Sequence, residues 1–173
     1  MTREVDGARV ARASHLAMGE RSAGFIYGTI VVLSVVVAGA RAYPHAAGHI
    51  AVLAAVTAAA LWLAHVYAHW LGESVALDRR VSVAELRHIA RRESSIIEAA
   101  LPPIGALLLG AFGVVSTRVA VWAAFALGLG VLAAEGMAVA RAEGLGWLGR
   151  LTVIAANLSF GFVLVGLKLL LTH

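Results

Sequence analysis

Near the middle of the chain, the run His65-Val66-Tyr67-Ala68-His69-Trp70-Leu71-Gly72-Glu73 spaces two imidazoles and a carboxylate four residues apart. On a helix, the spacing i, i+4, i+8 puts all three on one face, about a turn from each other. Imidazole and carboxylate together suit Zn²⁺, Fe²⁺, Mn²⁺ or a proton, so His65, His69 and Glu73 form a candidate metal set. The chain has no Cys and only three Met, which disfavours a soft Cu⁺ site. The same stretch also suits an interfacial anchor, with Tyr67 and Trp70 in an aromatic belt.

A second candidate lies further on. Glu135 is the sole carboxylate well inside an apolar run, six residues before Arg141. An ionisable group in hydrocarbon is costly and marks either a pathway or a paired structural charge. Glu135 is therefore the candidate proton-coupled group, with Tyr27 and Asn157 as further polar members of an ion pathway. The competing role is a hydrogen bond from Asn157 or Ser159. In the polar segment between these regions, Glu85, Glu93 and Glu98, with His88, are placed to capture cations, or to act as solvated partners of the neighbouring arginines.

Catalytic readings find little support. The bare HxxxH of His65 and His69 is not followed by the further histidine boxes of a membrane di-iron desaturase. Val66 stands where a zinc protease of the HExxH type needs glutamate. Bis-histidine haem needs ligands from different helices. The chain is expected not to be an enzyme.

These residues must be positioned by helices in lipid. Of the 173 residues, 61% are hydrophobic, and the mean hydropathy is +0.87, well outside soluble norms. Strand-like alternation is absent, and helices satisfy their backbone groups internally, as a bilayer requires. Ala23–Ala40, Ala47–Leu71, Ala99–Thr117, Val119–Ala140 and Leu151–Leu171 each approach the ~20 apolar residues of a spanning helix. The fold class expected is an all-α polytopic integral membrane bundle of about five transmembrane helices. The third stretch, which opens at Leu101-Pro102-Pro103 and contains three glycines, is open to a re-entrant reading.

Basic residues set the orientation. With the N-terminus inside, Arg3, Arg9, Arg12, Arg21, Arg79, Arg80, Arg87, Arg91, Arg92, Arg141 and Arg150 face the cytoplasm, against Arg41, Arg118 and Lys168 outside. Five spans then place the C-terminus outside. The expected organisation is a cytoplasmic N-terminal segment (1–22), transmembrane helices 1 and 2 (23–71), a cytoplasmic amphipathic helix (72–98) and transmembrane helices 3 to 5 (99–173). The net charge of +4 follows from this topology, so no nucleic-acid partner is expected. The first apolar run is longer than the usual signal-peptide core of ~7–15 residues, despite the small residues Ala38-Gly39-Ala40.

Within 72–98, Ser82-Val83-Ala84-Glu85 fits a capping box at a helix start. Val83, Leu86, Ile89, Ile96 and Ile97 then recur at helical spacing opposite Arg87 and Arg91, as expected of a helix on an anionic leaflet. Gly24 and Gly28 form a GxxxG pair, and Ala126 with Gly130 a small-xxx-small pair. Both permit close helix contact.

The order of these features resembles the vacuolar iron transporter family. Tyr27-Gly28-Thr29-Ile30 leading to Ala38-Gly39-Ala40 is similar to that family's Asp-Gly-Leu followed by a small-residue stretch. Leu71-Gly72-Glu73 is similar to its Gly-Glu ending of span two, and Arg150 with Gly161 and Gly166 to its final helix. Tyr27 stands in place of the family's first-span aspartate, His69 in place of its second-span methionine, and Leu61 near a membrane glutamate of some members. The segment between spans two and three is also shorter and less acidic. The resemblance implies a homodimer that exchanges a divalent metal cation for protons, and the membrane expected to hold it is a bacterial-type plasma membrane. The metal is then substrate, and no resident cofactor is implied. A non-transporting membrane scaffold or regulatory module, and a pH-gated channel, are the alternative functions.

Overall fold

The computed structural model describes residues 2–77 and 82–171. Arg79, Arg80 and His173 lie outside the described residues. The described residues form six helices in chain order: α1 (Thr2–Ala42), α2 (Ala47–Leu77), α3 (Val83–Arg92), α4 (Ser95–Ala111), α5 (Thr117–Ala142) and α6 (Trp147–Leu171). Among the described residues there is no strand. Three segments are long and apolar enough to cross a membrane: Arg21–Ala42, Ala47–Ala76 and Thr117–Ala142. α3 and α4, bent by 45° at their junction, pass the same test only when taken together, as a broken span or a re-entrant loop. α6 carries a shorter apolar stretch, Trp147–Val163.

The bundle is built around α1, which packs on α2, α4, α5 and α6, while α3 rests on α2. Its core joins Val32, Leu33 and Val36 of α1, Ile50 and Ala54 of α2, Leu107 of α4, and Val121, Phe125 and Leu132 of α5. The exterior is apolar as well. Val52, Val56 and Leu63 of α2, Leu101 and Leu109 of α4, and Val119 and Leu127 of α5 are all exposed. Water penalises such a surface, whereas lipid accepts it.

Turn chemistry sets the helix ends. α4 and α5 each close in a Schellman arrangement: Gly113 N–H donates to Gly110 and Val114 N–H to Leu109, and Gly144 N–H donates to Arg141 and Leu145 N–H to Ala140. Gly113 (φ 74°) and Gly144 (φ 66°) occupy the left-handed position that this motif needs and that side chains disfavour. α5 starts at Ser116, whose hydroxyl accepts from the Val119 N–H.

Two boundaries differ from the sequence expectation. α4 begins at Ser95, so Pro102 and Pro103 lie inside the helix rather than in its first turn. The earlier start buries Ser95, Ile96, Ala99 and Ala100, and Ser94 Oγ donates to Glu98 Oε1 at 2.7 Å. That packing outweighs the two backbone bonds the prolines remove. The amphipathic register also breaks: α2 runs on to Leu77, α3 is a separate ten-residue helix, and Ile96 and Ile97 belong to α4. On α3 the capping box is present, with Ser82 N–H donating to Glu85 Oε2 at 2.7 Å and Glu85 N–H to Ser82 Oγ at 3.3 Å. Ile89 is its buried anchor, whereas Val83 is 77% exposed.

Candidate functional site

α2 brings His65 and His69 to one face, and their ring orientation follows from their neighbours. His65 Nδ1 lies 3.0 Å from the Leu61 carbonyl, and His69 Nδ1 lies 3.1 Å from the His65 carbonyl. A carbonyl oxygen only accepts, so in each ring Nδ1 carries the hydrogen. In the neutral rings Nε2 therefore holds the free lone pair. Nδ1 bonded to a backbone carbonyl, with Nε2 free, is the arrangement that fixes a histidine for a metal or a proton.

The other walls come from α1 and from the α3–α4 junction. The Tyr27 ring lies 5.5 Å from that of His65, tilted by 48°. Glu93, the C-cap of α3, places Oε1 3.3 Å from His69 Nδ1 and 3.7 Å from Arg92 Nε, and its side chain is only 12% exposed. Ala23, Gly24, Tyr27, His65, His69 and Glu93 line a cleft of ≈ 330 Å³. α1 comes close here because Gly24 and Gly28 lack side chains. A Cβ on Gly28 would lie 2.9 Å from the Ile96 carbonyl oxygen, and one on Gly24 would meet Ser95 Oγ. The GxxxG pair is thus filled from within the chain, by α4.

Beside the cleft, Arg21 Nη2 donates to Glu98 Oε2 at 2.8 Å while Ser94 donates to the other carboxylate oxygen. The Ser94 hydroxyl holds the Glu98 carboxyl below its ordinary range. Partial burial opposes that shift, and the Arg21 guanidinium adds to it. Glu85 is engaged in the capping box. Of the three expected capture carboxylates, Glu93 alone lines the cleft.

The expected set of His65, His69 and Glu73 is only partly brought together. Glu73 does not line the cleft, and Glu93 does. Among the described residues, no group of three or more His, Asp or Glu side chains is spaced to hold a metal ion. Glu135 is half-buried on α5, away from the cleft. Asn157 donates to the Leu132 carbonyl at 3.4 Å and Ser159 to the Ala156 carbonyl at 2.6 Å, so neither donates to Glu135.

Trp62 escaped the sequence reading. Its indole Nε1 donates to the Ala90 carbonyl at 3.0 Å and ties α3 to α2. A tryptophan one helical turn before His65 was the available signal. His49 was also missed. It stacks on Tyr43 with ring centroids 5.2 Å apart, at the opposite end of α2, where Gly48, Val52 and Leu53 complete a second, open cleft of ≈ 520 Å³.

Comparison with protein-family models, with curated proteins and with solved structures found no match. The resemblance to the vacuolar iron transporter family rests on the sequence features quoted above.

Proposed function

We propose that the chain is an integral membrane protein of about five spans, with its N-terminus cytoplasmic, that moves a divalent metal cation in exchange for protons. The observation that carries this reading is the cleft itself: His65 and His69 share it with Glu93, whose Oε1 lies 3.3 Å from His69 Nδ1, at the end of a long apolar helix. Two imidazoles hold a hydrated cation weakly, whereas a structural metal site closes around four protein ligands. Weak, partly aqueous binding suits cargo that must be released. A cleft of ≈ 330 Å³ leaves room for several waters at ~30 Å³ each. Protons that compete with the cation for the same nitrogens supply the coupling. Glu135 is the deeper proton-coupled group of this proposal, and a homodimer is its expected assembly.

Purified protein in liposomes tests the reading with Mn²⁺, Zn²⁺ and Fe²⁺, each with and without a proton gradient. The expected result is gradient-dependent uptake that falls at least tenfold in a His65→Ala/His69→Ala variant. Absence of flux for every ion would overturn it, and flux indifferent to the gradient would favour a channel. A reporter that fluoresces only in the cytoplasm, fused to His173, should stay dark.

The outward face of α3 supports a second reading. Arg87, His88 and Arg91 are exposed there beside Val83, as a scaffold gripping anionic lipid requires. In that case neutralising Arg87 and Arg91 weakens membrane association, while His65 and His69 tolerate alanine.

A further inference from the structure

The junction of α3 and α4 leaves an orphan. In a continuous helix, the Ala90 carbonyl would accept from the Ser94 N–H, four residues on. At the 45° bend the Ser94 N–H turns instead to Arg91, at 3.3 Å, and α4 restarts with the Ile96 N–H on the Glu93 carbonyl, at 3.2 Å. The Ala90 carbonyl, one of the last-turn acceptors that a helix end exposes, takes the indole N–H of Trp62 at 3.0 Å. Trp62 therefore satisfies an acceptor that exists only while the bend exists.

We infer that Trp62 is a positioning residue for the cleft: by capping the Ala90 carbonyl it holds the α3–α4 bend, and through the bend it keeps the Glu93 carboxylate beside His69. The alternative conformation is defined by the same atoms. When α3 and α4 join in one straight helix, Ala90 recovers Ser94 as its donor and Trp62 loses its partner. α3 then swings off α2 and takes with it the C-cap residue that lines the cleft. The two sides of the junction are held unequally. α4 is fixed to α1 by Gly24, Gly28 and the Arg21–Glu98–Ser94 contacts, so the moving side is α3, anchored by Ile89 and Trp62. His69 is the other half of the clasp, at 3.3 Å from Glu93.

This inference gives the proposed transport site its movable wall and rests on that reading for its purpose, but its test does not need transport. The chain has no cysteine, so spin labels go onto exposed Ala84 of α3 and exposed Ala64 of α2 through two introduced cysteines. Pulsed electron resonance then reads their separation. The expected result is one narrow distance distribution in the wild-type background. Trp62→Phe keeps the ring and removes the N–H, and adds a population displaced by up to about 10 Å, the swing of a nine-residue helical arm through the bend angle. Ile89→Ala adds the same population. The melting temperature of Trp62→Phe stays near that of the parent, which separates loss of position from loss of fold. Superimposable distributions for the parent and Trp62→Phe would overturn the proposal. A displaced population in a protein that moves no ion would uphold it while removing the transport reading.

Discussion

The two sides of the Glu93–Ser94 junction are held in different ways. On the α4 side, two glycines bring the α1 backbone against Ser95, Ile96 and Ala99, so contact is made at the level of the main chain. On the α3 side, contact depends on Ile89, the Trp62–Ala90 bond and the His69–Glu93 pair. Main-chain packing leaves no room to adjust, because a well-packed interior resists even one added methylene. A tether of side chains can be broken and remade. The candidate site therefore sits where a fixed base meets an adjustable cover, and four substitutions probe that contrast.

The largest effect is expected from Gly28→Leu. Its Cβ would lie 2.9 Å from the Ile96 carbonyl oxygen and 3.1 Å from the Ile96 Cα, both main-chain atoms. A loss of about 3 kcal/mol or more is expected, read as the thermal or denaturant midpoint in detergent. A wild-type midpoint would mean that the two helices are not in main-chain contact. Gly24→Ala is milder, because its closest neighbour is the Ser95 hydroxyl, which can rotate. About 1 kcal/mol is expected, and the rank order of the two variants is the decisive reading.

Glu98 gives the base an acid-sensitive component. Its carboxyl is held low in the folded chain, so its contribution is complete above the ordinary glutamate value of about 4.3 and is lost as pH falls through the lower folded value. Melting curves from pH 6 to 3 should show a small acid-side loss that is absent in Glu98→Gln. The effect is small because the Arg21 and Glu98 side chains are 63% and 37% exposed. Equal acid slopes in the two proteins would remove Glu98 from the base.

The smallest effect tests the other small-residue pair. A Cβ on Gly130 meets nothing within 4 Å, and Ala126 is exposed. Gly130→Ala should therefore raise the midpoint slightly, by up to about 1 kcal/mol from helix propensity. A fall would reveal a second copy of the chain on that face.

Much of the scaffold was legible in the sequence because it rests on local signals. The capping box at Ser82 and Glu85 and the apolar runs of α1, α2 and α5 depend on neighbours in the chain; Gly24 and Gly28 announced a close approach, but not that α4 would fill it. The site was half legible. His65 and His69 share a helical face by spacing alone, but the carboxylate in their cleft, paired with His69, is Glu93 rather than Glu73, because a bend delivers it from a different helix. That bend is hidden: Ile96 and Ile97 continue the apolar spacing of α3, and nothing local shows the register changing helices. The start of α4 was hidden for a related reason. Pro102 and Pro103 suggest a first turn, but burial of Ile96, Ala99 and Ala100 moves the start upstream.

α1 is one unbroken helix from Thr2 to Ala42, 41 residues long, or about 62 Å at 1.5 Å per residue. That is roughly twice the ~30 Å hydrocarbon thickness. Its apolar portion begins only at Arg21, so about 28 Å of the same rod precedes the span. Such an extension works as a pointer. A ten-degree change in the tilt of the apolar portion, pivoting beside Tyr27 and Gly24, would carry the far tip of the rod through about 5 Å.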